Sequence, residues 1–348
     1  LSRFSGNDST RICKKMVTIP KTEVMRLGEA AFRNVGLNDD KAIKIIMNHL
    51  MHNEMAGKRS HGLLRVKWCV VKHIPQYGLP AGDPELVLDA GALGIVNGNN
   101  HIGVVAAEFA AQKAIEKAKE HGIAFVGARN HHGTTGTMHY YNSKFVENGL
   151  IGIAGCNSLA MVCHPNGFDP VLGTNPISFG IPSAKTPCVI DVTSAQWAYG
   201  KLLEMHQKDE PMPVDAMVDK NGKPSTDIRD AMNGSMLPMN GIKGFSIGLA
   251  IEILGGALLG AKSGRDAVKG SDGIFFITID PDKLVGRERF ENEVESLLQE
   301  IKNSRHDAEI SEILIPGERS SQNLQKVVEK DDIEIIDSVY EDLKDLAA

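Results

Sequence analysis

The residues of this 348-residue chain best suited to chemistry lie in a few short segments, and the densest is Ser60-His61-Gly62-Leu63-Leu64-Arg65. A hydroxyl and an imidazole stand beside a glycine, which leaves room for a ligand to approach. Arg65 follows His61 by four residues, a spacing that puts both side chains on one face if the segment is helical. A guanidinium fork donates two parallel hydrogen bonds to a carboxylate. A histidine titrates near neutrality and can exchange the proton that accompanies hydride transfer. A helix cap with a surface arginine is the plain alternative.

A second polar segment, Asn130-His131-His132-Gly133-Thr134-Thr135-Gly136, directly follows a strand expected to end near Arg129. Sites on rigid scaffolds favour such strand-end loops. Adjacent side chains diverge, so His131 and His132 are poorly placed to chelate one metal, and one of them could be a solvated loop histidine. A third, loop-rich cluster runs through Asn157-Ser158, His164-Pro165-Asn166-Gly167 and Leu172-Gly173-Thr174-Asn175-Pro176. Asp191-Val192-Thr193-Ser194 closes a further strand and is followed by Gly200-Lys201. Gly241-Ile242-Lys243-Gly244-Phe245 opens an apolar helix, and a lysine with free N–H groups at a helix start suits a phosphate. No G-x-G-x-x-G follows an expected strand, so the Rossmann fingerprint is absent. Gly98 to Gly103 has phosphate-loop spacing but lacks the following Lys-Ser/Thr.

The elements that must hold these segments read as mixed α/β. Helices are expected from Val24 to Val35, from a cap at Asn38 through Leu50, over Leu63 to His73, Gly103 to His121 and Tyr140 to Asn148, then Phe245 to Ala261, Arg287 to Lys302 and Ser338 to Leu346. Strands are expected at Glu85 to Asp89, Leu93 to Asn97, Ile123 to Ala128, Leu150 to Gly155, Ile177 to Ile181, Cys188 to Val192 and Ile274 to Ile279. The turn-rich stretch from Gln76 to Pro84 marks a boundary. The expected division is a helical domain from 16–84 with 318–348 and a sheet domain over 85–317. Residues 1–15 are polar and aperiodic, read as an extension before a start at Met16 in preference to a weak basic leader.

Composition excludes several classes. Lys+Arg 38 against Asp+Glu 44 gives a net charge of -6, which argues against a nucleic-acid partner. Five cysteines without C-x-x-C spacing read as plain thiols, making the cytosol the expected compartment. The most apolar window, Phe245 to Ala261, is interrupted by Glu252 and falls short of the roughly 20 residues of a membrane span. It reads as a buried core helix, with no membrane partner expected.

Ser60-His61-Gly62 with Arg65, Leu172 to Pro176, Asp191 to Ser194 with Gly200-Lys201, and Lys243-Gly244-Phe245 together resemble the malate/L-lactate dehydrogenase family, distinct from Rossmann-type lactate and malate dehydrogenases. The resemblance runs from about Met16 to the last helix. It implies a homodimer using NAD or NADP in a non-Rossmann, largely antiparallel sheet domain beside a helical domain from both chain ends, acting on a small 2-hydroxy or 2-keto acid. It implies that Arg65 holds the substrate carboxylate with Ser60 and His61 beside it. The proton-transferring histidine falls on His131, which fits His-x-Gly, or on His132, which ungapped alignment favours. Ser158, Asp191, Thr193 and Lys243 fall where the family contacts its cofactor, although the family's Asp-x-Ala-Thr-Ser is altered around Thr193.

Two rival readings stand beside it. A metal-dependent hydrolase would use His49, His52, His131, His132 or His164, but no H-E-x-x-H or Cys/His framework supports one, and no metal is expected. The other rival is a catalytically inactive nucleotide-binding relic, since a fold does not imply turnover.

Overall fold

Ile274–Ile279, with the sequence IFFITI, is apolar on both faces, as a strand covered on both sides requires. It lies at the centre of a seven-stranded sheet. The computed structural model describes residues 15–207, 210–267, 270–307 and 309–348. The strand order is Glu85–Ala90, Leu93–Asn97, Ile123–Arg129, Ile274–Ile279, Ile151–Cys156, Pro176–Ile181, Cys188–Thr193. Only Leu93–Asn97 with Ile123–Arg129 is parallel; the other neighbours are antiparallel. The largely antiparallel, non-Rossmann sheet is therefore as expected.

Side chains alternate along the central strand with the period of two that a strand imposes. Ile274 and Phe276 join the core formed by the alanine face of the Gly103–His121 helix and by Tyr141 and Phe145 of the Met138–Glu147 helix. Phe275 points the other way, toward Ile251 and Leu259. A separate core is built from both chain ends. It joins the Lys21–Asn34 and Asp40–Met55 helices, Leu63 to Ile74, and Ile333, Ile335 and Leu343 near the C-terminus. Its outer layer is a two-stranded antiparallel sheet, Met16–Pro20 with Asp332–Ile336. Of the stretch expected as an extension, only Lys15 lies within the described residues, and its carbonyl accepts from Asp337 N at 2.8 Å.

The register places the chemically interesting loops on one edge of the large sheet. Ala128, Ile274 and Cys156 lie side by side, as do Gly155 with Ile177 and Pro176 with Thr193. The segments after Arg129, after Cys156, before Pro176, after Thr193 and before Ile274 therefore emerge together.

Several expectations need correcting. Asp39, not Asn38, caps the second helix, its carboxylate accepting from Ala42 N at 3.0 Å. The single helix expected over Leu63 to His73 is a Leu64–Trp68 segment that widens into a π-type turn before Ile74–Tyr77. The apolar helix spans Ile242–Gly255 and is not a buried core helix: Ile242, Ile253 and the following Leu258 are 56%, 50% and 55% exposed. Apart from Lys243, Ser246 and Glu252 it is apolar all round, and only the side bearing Gly244, Gly248, Ile251, Glu252 and Gly255 is buried. Among the described residues, Ile242–Leu259 is long and apolar enough by composition to cross a membrane. A small sheet of two- and three-residue strands, from Val162–Cys163 to Ser235–Met236, was not anticipated, nor was the Glu318–Val328 helix.

Candidate active site

The Asp40–Met55 helix turns His49, Asn53 and Glu54 inward, all buried. Asn53 Nδ2 donates to His61 O at 3.1 Å, and Glu54 Oε2 accepts from Leu63 N at 3.1 Å. These two bonds hold the Ser60 segment against the helix. Gly62 leaves room for that carboxylate, because a Cβ would lie 2.3 Å from Glu54 Oε2. Its ψ of -145° also breaks the helix, so His61 and Arg65 do not share a helical face as expected. They converge by another route. Arg65 Nε donates to Ser60 O at 2.7 Å, and Ser60 Oγ lies 3.1 Å from His61 Nδ1.

The Arg65 guanidinium rests over the Trp68 ring, 4.9 Å from its centroid. Among the described residues, no acceptor meets its two Nη groups. Burial lowers the Arg65 pKa from its ordinary value. A partly dehydrated cation with an open fork suits a carboxylate ligand. Burial, then the charges of Arg65 and Lys58, push the His61 pKa down to about 3, so this imidazole is neutral at physiological pH.

The loop after Ile123–Arg129 meets the same helix. Gly136, at φ 78°, lies flat against the His49 ring, where a Cβ would sit 1.7 Å from Nε2. Thr137 Oγ1 donates to Asn53 Oδ1 at 2.7 Å. Asn53 thus grips both histidine-bearing segments. The adjacent imidazoles diverge, as their spacing implied. His132 stacks on Tyr77 with centroids 5.4 Å apart, and burial, then His131, lowers its pKa to about 4. His131 is buried and, among the described residues, neither ring nitrogen has a hydrogen-bond partner. Burial lowers its pKa, while the Asp272 carboxylate works in the opposite direction.

Along the same edge, Asp191 pairs with Lys58, Oδ2 to Nζ 3.2 Å. The pair borders a cavity of about 250 Å³ together with His139, Gly317 and Ser320. The Thr193 hydroxyl donates to Thr174 O at 2.6 Å and accepts from Ala195 N at 3.2 Å, so it closes the turn. Ser158 packs on Gly173, where a Cβ would lie 2.2 Å from its Oγ. Lys243 is exposed in the first turn of the Ile242–Gly255 helix. That turn is anchored near the end of Cys188–Thr193, since Met239 N donates to Ser194 O at 2.9 Å.

Sequence reasoning missed Asn53, Lys58, His139, Asp272 and Gly317. Lys58 stands two residues before Ser60 and offered a charge signal. Asn53 and Asp272 offered none, because only the packing of distant segments brings them to the site. Burial raises the pKa of all four cysteines among the described residues, pushing the Cys69 and Cys156 thiols up to about 12, which disfavours thiolate chemistry at these positions. Among the described residues, the three-donor group with metal-ligand spacing is Asp39, Asp83 and His101. It contains none of the five histidines of the hydrolase reading.

Residues 19–344 match the family described as malate/L-lactate dehydrogenase. The chain belongs to the malate/L-lactate dehydrogenase family. It is 37% identical over 331 residues to malate/(S)-sulfolactate dehydrogenase of Methanothermus fervidus, covering 90% of this chain and 92% of that one. It is 28% identical over 303 residues to the NAD(+) ureidoglycolate dehydrogenase of Escherichia coli K12, covering 84% and 85%. Among solved structures, sulfolactate dehydrogenase from Methanocaldococcus jannaschii superposes with a TM-score of 0.84 at 31% identity, covering 95% and 96%. As a member of the malate/L-lactate dehydrogenase family, the chain is an NAD(P)-dependent oxidoreductase acting on the CH–OH group of 2-hydroxy acids.

Proposed function

We propose that this dehydrogenase interconverts a small 2-hydroxy acid of the malate or L-lactate type and its 2-keto acid, between the helical body (16–84 with 318–348) and the sheet body (85–317). The observation that carries this reading is the half-buried Arg65 guanidinium whose Nη fork has no acceptor among the described residues. It would receive the substrate carboxylate, and Ser60 and His61 would line the same side. Fixing the carboxylate orients C2, and such positioning is worth on the order of 7 kcal/mol at best.

His131 would give a proton to the keto oxygen on reduction and take it back on oxidation. Burial disfavours the protonated form of both His131 and His61, the nearer alternative; the Arg65 and Lys58 charges add to this at His61, whereas Asp272 works against it at His131. His132, packed on Tyr77, is the less suitable of the neighbouring pair.

The donor set at the sheet edge suits an NAD or NADP dinucleotide. Lys243 and the start of the Glu318–Val328 helix offer positive potential to phosphates. Asp191 and Ser158 offer a carboxylate and a hydroxyl to ribose or amide groups, and Thr193 contributes through the turn it closes. The bound nicotinamide supplies the hydride chemistry, and the protein supplies orientation and exclusion of water. Oxidation of NADH and of NADPH, followed with oxaloacetate, pyruvate and sulfopyruvate, tests this. Turnover of at least one acid is expected, and dinucleotide binding with complete inactivity would favour the relic.

We also propose a homodimer in which a second copy covers the exposed Ile242, Ile247, Leu249 and Ile253 face. The acidic net charge and the thiol chemistry support a cytoplasmic protein without a nucleic-acid or membrane partner. Sedimentation should give a dimer that Ile253→Glu converts to monomer; a monomeric wild type would reject the pairing.

A further inference from the structure

Glu252 is 3% exposed on the inner side of the Ile242–Gly255 helix. A carboxylate so buried is stable only when its lone pairs are filled. Here three N–H donors fill them: Asn157 Nδ2 at 2.9 Å and Gly264 N at 2.9 Å on Oε1, and Asn175 Nδ2 at 2.7 Å on Oε2. The network extends one step further at each asparagine. Asn157 Oδ1 accepts from Gly273 N at 2.8 Å, beside Asp272, and Asn175 Nδ2 also donates to Gly248 O at 2.9 Å.

We infer that Glu252 is a positioning residue of the dehydrogenase, fixing the turns that carry Ser158, Asn175 and Asp272 relative to the helix that carries Lys243. This rests on the reading of that edge as the cofactor side. Every contact of the carboxylate is as an acceptor, which explains why glutamate is suited and glutamine is not. Glutamine would keep the Oε1 bonds but set its amide N–H groups against those of Asn175, and turning the Asn175 amide to relieve this would lose its bond to Gly248 O.

The test compares Glu252→Gln with Arg65→Lys in the full-length protein. NADH and NADPH affinities are measured by fluorescence, kcat and keto-acid KM by turnover, and local opening by amide hydrogen exchange. For Glu252→Gln, dinucleotide Kd should rise about 10-fold, the size of one mispaired buried hydrogen bond, with acid KM little changed. Exchange should quicken at Gly264 and Gly273 while the Lys21–Asn34 helix stays protected. Arg65→Lys should show the opposite split, with acid KM raised and dinucleotide Kd unchanged. Unchanged Kd and unchanged exchange in a folded Glu252→Gln protein would overturn the inference. So would a uniform loss of stability that moves Kd and KM together. Wild-type protein that binds neither dinucleotide would instead reject the cofactor reading, and with it the functional half of the inference. The exchange pattern would still report on the network.

Discussion

Arg65 and His131 lie on segments that Asn53 holds together, yet their surroundings differ in nearly every physical respect. Arg65 is half-buried on an aromatic ring and permanently charged, with its fork open. His131 is almost wholly buried, neutral-leaning and, among the described residues, unpartnered at both nitrogens. A cation that must draw an anion from water has to keep some contact with solvent. A group that passes a proton at one moment of a reaction works best away from water, where competing proton transfers are suppressed. Under the proposed function, that difference suits one segment to capture and the other to proton exchange.

Acidification should break the comparison most completely. His52, His61, His132 and His139 have pKa values lowered, chiefly by burial, to about 4, 3, 4 and 3. The unfolded chain takes up these protons below about 6.5, whereas the folded chain refuses them until far lower pH. Stability should therefore be full above that value and fall as pH drops toward 4, with several protons taken up per molecule unfolded. Urea midpoints measured from pH 7.5 to 4 check this, and a flat profile would refute it.

His131→Asn should lower kcat by about 10²–10⁴-fold with dinucleotide affinity retained, the usual worth of a placed proton donor. Steady-state turnover decides, and if His132→Asn gives the larger loss the roles of the two are exchanged. Arg65→Lys keeps the charge but loses the fork, and should cut kcat/KM by about 10–100-fold, mostly through KM for the acid. Thr137→Val removes the hydroxyl that links the His131 loop to Asn53 and should cost roughly 5-fold in kcat, about one hydrogen bond. Thr137→Ser should restore it. Equal activity of the two variants would show that the link does not set the site.

Much of the scaffold was legible because it is local. Ile274–Ile279 and Arg287–Lys302 match their expected bounds residue for residue, since a continuous apolar run and a strong 3.6-residue period each carry their own signal. The Met16–Pro20 strand did not, because its partner Asp332–Ile336 lies at the other end of the chain. The two-residue strands between Val162 and Met236 are too short for any period. At the site, Ser60, His61, Arg65 and the double histidine were legible as residue types in polar, glycine-bearing segments.

The sequence alone determined which groups could capture a carboxylate or move a proton, because those capacities belong to side-chain chemistry. It also determined the alternation and helical periods that raise the central sheet. Only the tertiary structure decided that Gly62 breaks the helix between His61 and Arg65, and that Asn53 joins two distant loops. It likewise decided that the Asp272 charge acts on His131 while His132 packs on Tyr77, and that one side of an apolar helix is left uncovered. Those outcomes depend on which distant surfaces meet, and burial and pairing energies exist only once they have met.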